Sequence, residues 1–285
     1  GQAAYKLVKE EYELQKDVPQ ELAIAASAAT SRAHTAWLKA RKEQDFNLFK
    51  EALSENIRLT KEMIPYMKKN ERTDYDVLLN QYEPNMTVEI LDNVFSQVRD
   101  GIMDIRRQLA EKGTAPKTTI LSRKMTEAQQ RRFITKVITD LGYDFARGRL
   151  DNTVHPFATG INRNDVRLTT RWNEHDFSMG LFGVIHEAGH GMYEQNIDEK
   201  YQGTPVNEGA SMGIHESQSL FNEIIIGSNR AFWEKQFQFF QTCAEGNCDD
   251  VALDAFYDAL KYSQTSLDRI EADSLTYDLH IIIRN

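Results

Sequence analysis

The chain of 285 residues has only two cysteines, Cys243 and Cys248. That is too few for a disulfide framework, and a reducing cytoplasm is the compartment such usage suits. The segment CAEGNC that holds them is read as a surface loop carrying two free thiols. Proline, at 6, and glycine, at 15, are also scarce. Together they fall well under the roughly 12% of average usage, so helix breakers are few and a mainly helical protein is expected. No apolar run approaches the roughly 18 residues of a membrane span. The opening GQAAYKLVKEEYELQK mixes charge with apolar residues at helical spacing and lacks the apolar core of a signal peptide. Basic residues number 34 against 43 acidic, a net charge of −9. That balance disfavours non-specific binding to nucleic acid or to an anionic membrane. With 41% hydrophobic and 27% charged residues, the composition is that of an ordinary globular protein.

Up to about Arg147 the pattern is helix after helix. Val18-Pro19-Gln20-Glu21 reads as a helix start, and the helix it opens continues to about Lys42. Asp45 precedes another, to about Lys69, interrupted at Pro65. Glu83-Pro84-Asn85 is a turn, and Thr87 opens a long amphipathic helix through Leu109 that stops near Gly113. Thr126 and Gln129 fit a capping box at the start of a helix ending around Gly148. His34 has no second ligand at helical spacing, so residues 1–150 read as helical scaffold.

The character changes at Asp151. Residues 153–161 and 165–172 are rich in β-branched and aromatic side chains around the turn-like Asn162-Arg163-Asn164, which predicts a β-hairpin. A strand of it, if a sheet edge, could pair with an extended peptide, with Thr169 as the position to test. Helices resume near Ser178. The chain does not begin with methionine, and it stops on the apolar helical run LHIIIR without a cap. It is therefore expected to be an internal piece of a longer protein.

Residues 183–193, GVIHEAGHGMY, carry the chemistry. On a helix, His186 and His190 are four apart and project from one face, where they can share a metal ion. Glu187, about 100° round the helix from His186, lies beside such an ion and can take a proton from a water. This is the H-E-x-x-H signature of zinc peptidases. A third ligand is needed, and Asp198, Glu208, His215, Glu216 and Glu223 all follow. Spacing leaves Glu208 and Glu216 close to even, with Glu223 on nearly the same helix face as Glu216 as an outer partner.

HPF at 155–157, DVRLT at 165–169, HEAGH at 186–190, HESQ at 215–218 and RIEAD at 269–273 occur in this order. The series resembles the carboxypeptidase Taq family of metallocarboxypeptidases. The resemblance implies a mainly helical zincin-type fold with a small hairpin or sheet beside a deep active-site cleft. It makes residues 1–150 and 151–285 parts of one peptidase domain truncated at both ends. It implies His186, His190 and Glu216 as metal ligands, Glu187 as general base and acid, and removal of C-terminal residues from peptides. One divalent ion is implied; zinc is expected, and His and carboxylate ligands also accept cobalt or manganese. His155, Arg167, His215 and Arg269 are candidates for binding substrate or its free carboxylate, with Arg171 a further cationic candidate. A homodimer is implied for the intact protein. Asp268 stands where the family has isoleucine, and the family's Gly-x-x-Gln-Asp-x-His-Trp motif would fall beyond Asn285. A metallo-endopeptidase with the same site, or a metal-binding but inactive piece, are the alternatives.

Overall fold

A computed structural model describes the chain except residues 154, 264–272, 274 and 285. It divides into two compact units, Gly1–Val88 and Glu89–Asn285. In the first, α1 (Gln2–Gln15), α2 (Gln20–Glu43), α3 (Asn47–Met67) and α4 (Asp74–Asn80) follow one another. α2 turns into α3 through Gln44 in the left-handed conformation (φ 54°). Small residues on α2, Ala29, Ala33 and Ala40, are buried, which lets its backbone lie close to α3. Pro65 does not break α3 in the middle; the helix ends two residues later, at Met67. Ile64, Met67 and Val77 form a small buried cluster of their own.

In the second unit α5 (Val88–Lys112), whose first residue is the last of the first unit, and α6 (Glu127–Leu141) lead to a three-stranded sheet of β1 (Gly148–Asn152), β2 (Ala158–Asn162) and β3 (Asp165–Thr170). α6 starts on the expected box: the Thr126 hydroxyl accepts from Gln129 N, and the Gln129 side-chain oxygen Oε1 accepts from Thr126 N. It stops at Leu141, short of the expected Gly148, because Gly142 takes φ +119° and caps it. The hairpin β2–β3 forms as expected, but a strand precedes it. β1 pairs parallel to β3, Leu150 opposite Leu168, while β2 pairs antiparallel on the other side. The order β1-β3-β2 makes β3 central. Thr169 is thus no edge position: it lies opposite Asp151 of β1, and its N–H donates to Phe157 O. Val166, Leu168 and Thr170 face inward as the alternation predicts, and Thr169 is buried as well.

α7 (Phe177–Gln195) is the axis of this unit, packed against α6, β2, β3, α8 (Met212–Leu220) and a π-helical stretch, Phe221–Gly227. Ten of its residues are buried, as befits a helix apolar on most of its circumference. Aromatic rings from α6, α7, α9 (Arg230–Ala244) and α10 (Leu253–Leu260) interlock behind it; Trp233 lies 4.7 Å from Phe256 and 6.2 Å from Phe133. Cys243 and Cys248 are both free, as expected, yet neither is on the surface. Both pack into this core, Cys243 from the last turn of α9. α11 (Tyr277–Arg284) follows. Among the described residues no helix is long and apolar enough to cross a membrane.

Candidate metal centre

HEAGH lies in the middle of α7, so that its two histidines share a face while Val184, Ile185 and Ala188 fasten the opposite side into the core. The facing wall is α8, which starts where the Ser211 hydroxyl accepts from Ile214 N. That start places Glu216 one turn into the helix. It leaves Glu208 exposed in the loop before it.

Glu216 Oε2 lies 3.2 Å from His190 Nε2 and 3.5 Å from His186 Nε2. Neighbouring ligand atoms of a tetrahedral ion with bonds of about 2.0–2.1 Å stand roughly 3.3 Å apart, so these separations fit the edges of such a site. The three ligand atoms lie within 4.8 Å of one another, and this is the only group of its kind among the described residues. The remaining ring nitrogens face away from Glu216. His186 Nδ1 meets Glu223 Oε2 at 2.8 Å and His190 Nδ1 meets His215 Nδ1 at 2.7 Å. Ser219 donates to Glu216 Oε2 at 3.0 Å. The donor set is therefore oriented before any ion arrives, and the residues fit a divalent cation.

Two features of the backbone bring the walls together. A Cβ on Gly189, inside HEAGH, would stand 2.6 Å from Gln218 O and from Ser219 Cα. Only glycine allows α8 that close to the histidine face. Beyond Leu220 the helix widens into the π stretch, a local departure often met at functional sites. Asn222 donates to Gln218 O at 2.8 Å, and the Trp233 indole donates to Gly227 O at 3.0 Å. These bonds hold the stretch in the form from which Glu223 reaches His186.

The electrostatics are those of imidazoles held against carboxylates. Burial pulls the His186 pKa down, but its bonds to Glu216 and Glu223 outweigh that and lift it to about 10. The same contacts with His186 and His190 hold Glu216 far below the usual carboxylate range. Glu187 is different. Its side chain is buried, burial raises its pKa, and the charges of His186 and His190 only partly offset the rise. Among the described residues none hydrogen-bonds its carboxylate.

The other candidates are placed variously. His215 bridges His190 and Glu194, with Glu194 Oε1 2.8 Å from its Nε2. Arg167 is held by a two-pronged pair to Asp165, at 2.8 and 2.7 Å. Arg171 points Nη2 at Met179 Sδ, and His155 is exposed in the segment joining β1 to β2. Arg269 lies outside the described residues. The sequence reading missed Gly189 as the close-approach point and Glu194 as a partner. Glu194 stands four residues past His190, on the same helix face, a spacing that could have drawn attention to it.

The whole chain, residues 1–285, matches the model of the family described as carboxypeptidase Taq (M32) metallopeptidase. It is 44% identical to carboxypeptidase 1 of Bacillus subtilis over 281 residues, which cover 99% of this chain and 56% of that protein. Against thermostable carboxypeptidase 1 of Thermus thermophilus it is 36% identical over 291 residues, covering 97% of this chain and 56% of the relative. The crystal structure of an M32 carboxypeptidase from Deinococcus radiodurans superposes with a TM-score of 0.91 at 34% identity, over 99% of this chain and 56% of that one. The chain thus spans about half the length of the relatives it matches. It belongs to the carboxypeptidase Taq (M32) family of metallopeptidases.

Proposed function

We propose that this chain carries the catalytic metal site of a metal-dependent carboxypeptidase, with His186, His190 and Glu216 as ligands and Glu187 as general base. The observation that supports it most is the convergence of two imidazole nitrogens on one carboxylate oxygen at 3.2 and 3.5 Å, with a buried, unengaged carboxylate next to them. The names of the relatives agree with the reading.

A divalent ion, zinc by the donor set, would polarise a scissile carbonyl and make a water acidic enough to ionise near neutral pH. Glu187 would take that proton, since burial makes its carboxylate a better base than a solvated one. It later returns the proton to the leaving amine. Glu223 keeps the His186 Nδ1 side occupied, so that Nε2 is the coordinating atom. An exopeptidase must also hold a free carboxylate. Arg167, Arg171 and Arg269 are its candidate donors in this reading, with His155 directed to the substrate or the tetrahedral intermediate, and Arg167 would exchange Asp165 for substrate to do so. The reducing cytoplasm implied by two free thiols and the homodimer implied by the family resemblance belong to the same proposal.

The test is a pair of peptides identical except that one ends in a carboxylate and the other in an amide. Release of single residues from the free end alone is expected. Cleavage of both at an internal bond would make the protein an endopeptidase.

A further inference from the structure

We propose that His215 and Glu194 are positioning residues that set the ring of His190 as the Nδ1–H tautomer, with the bare Nε2 aimed at the ion. The inference rests on the metal site proposed above. It concerns a different set of atoms.

His186 Nδ1 meets a carboxylate at 2.8 Å, and a carboxylate only accepts, so Nδ1 carries the hydrogen. His190 is less simple. Its Nδ1 faces Nδ1 of another histidine at 2.7 Å, and the single hydrogen between them could belong to either ring. The far end decides. His215 Nε2 lies 2.8 Å from Glu194 Oε1, which only accepts, so Nε2 carries a hydrogen. A cation on His190 Nε2 would leave the one hydrogen of that ring on Nδ1, and His215 Nδ1 is the acceptor that faces it. Glu194 thus fixes the tautomer of His190 through one intervening ring.

The surroundings hold this chain of bonds in place. His215 and Glu216 are consecutive on α8, and they take opposite sides of the same His190 ring, Nδ1 and Nε2. Tyr193 meets the His215 ring edge-on at 5.0 Å and 79°. A Cβ on Gly209 would stand 2.7 Å from His215 Cδ2, so the 207–211 loop closes directly over the ring. That loop is tied down where Ala210 N donates to the Tyr193 hydroxyl at 3.1 Å. Gln195, buried beside Glu194, accepts from Asp144 N at 3.0 Å and donates to Asp144 O at 2.9 Å, which pins the last turn of α7. The NEGAS segment, which spacing alone offers as a ligand source through Glu208, instead encloses the positioning histidine.

The test uses zinc itself and the purified protein. Zinc affinity is measured by competition with a chromophoric chelator for the parent, Glu216→Ala, His215→Phe and His215→Gln. Histidine-selective ¹⁵N spectra of the zinc-loaded parent locate the ring hydrogens, and thermal melts confirm folding. His215→Phe fills the space and removes the acceptor, and an outer partner of this kind is worth about 10–100-fold in metal affinity. We expect that loss in the folded His215→Phe protein, with most of it restored in His215→Gln, whose amide oxygen can accept. The spectra should put hydrogens on His190 Nδ1 and His215 Nε2. Parent-like affinity in His215→Phe, or the hydrogen on His215 Nδ1, would overturn the inference while leaving the metal site standing. A parent that binds no zinc, like Glu216→Ala, would overturn both.

Discussion

In the unit Gly1–Val88 the Asp76 carboxylate is buried and accepts from Thr73 N at 2.9 Å and Val88 N at 2.7 Å. In the unit Glu89–Asn285 the Glu187 carboxylate is buried too, and among the described residues nothing donates to it. The consequences are opposite. The bond from Val88 N leads the contacts that lower the pKa of Asp76, which is spent on capping α4 and fixing the chain beyond it. Burial raises that of Glu187, and the proposed role of this side chain as general base draws on that difference.

Exchanging each carboxylate for its amide sharpens the contrast most. Glu187→Gln keeps the shape and removes the base, so peptide turnover should fall about 10²–10⁴-fold with metal content unchanged. An assay of kcat beside elemental analysis checks this; full turnover in the variant would return Glu187 to a structural role. Gly189→Ala comes next. The added methyl meets backbone atoms of α8 at 2.6 Å, and overpacking of this kind costs about 1–3 kcal/mol. Denaturant midpoint and zinc affinity should both drop, because the helices that carry His190 and Glu216 are pushed apart.

A pH series has a smaller effect and a definite sign. In the metal-free protein His186 holds its proton up to about 10, against 6.5 ordinarily. Its contribution to stability is whole below about 6.5 and is lost as pH rises toward 10. Glu216, whose pKa is depressed, contributes above its ordinary 4.5 and loses that as pH falls. The melting temperature of the metal-free protein should therefore decline above pH 6.5 more than that of the zinc-loaded one. Zinc binding displaces the His186 proton, so affinity should climb with pH by at most about tenfold per unit. Smallest of all is Asp76→Asn, which should lower the melting temperature through its own cap and leave metal content and turnover per folded molecule untouched.

The candidate ligands on α7 are legible in the sequence because both come from one helix, whose period is known before the fold is. Glu216 is not, since its choice over Glu208 depends on where α8 begins, and the cap that decides it, Ser211, is one polar residue in a polar loop. The family resemblance points to Glu216 where spacing cannot. β1 escapes notice because Gly-Arg-Leu-Asp-Asn has one apolar residue, and pairing with β3 gives it a place that local preference does not. Thr73-x-x-Asp76 is a capping box with aspartate at the third position, so it hides as an ordinary polar turn. Gly189 looks like a helix defect until α8 is packed against it.

The most direct test of the metal site is the metal content of the purified protein, of Glu216→Ala and of Glu208→Ala by elemental analysis. One equivalent is expected in the parent and in Glu208→Ala, and none in Glu216→Ala. Metal retained in Glu216→Ala and lost in Glu208→Ala would contradict the ligand set on which the proposed chemistry stands.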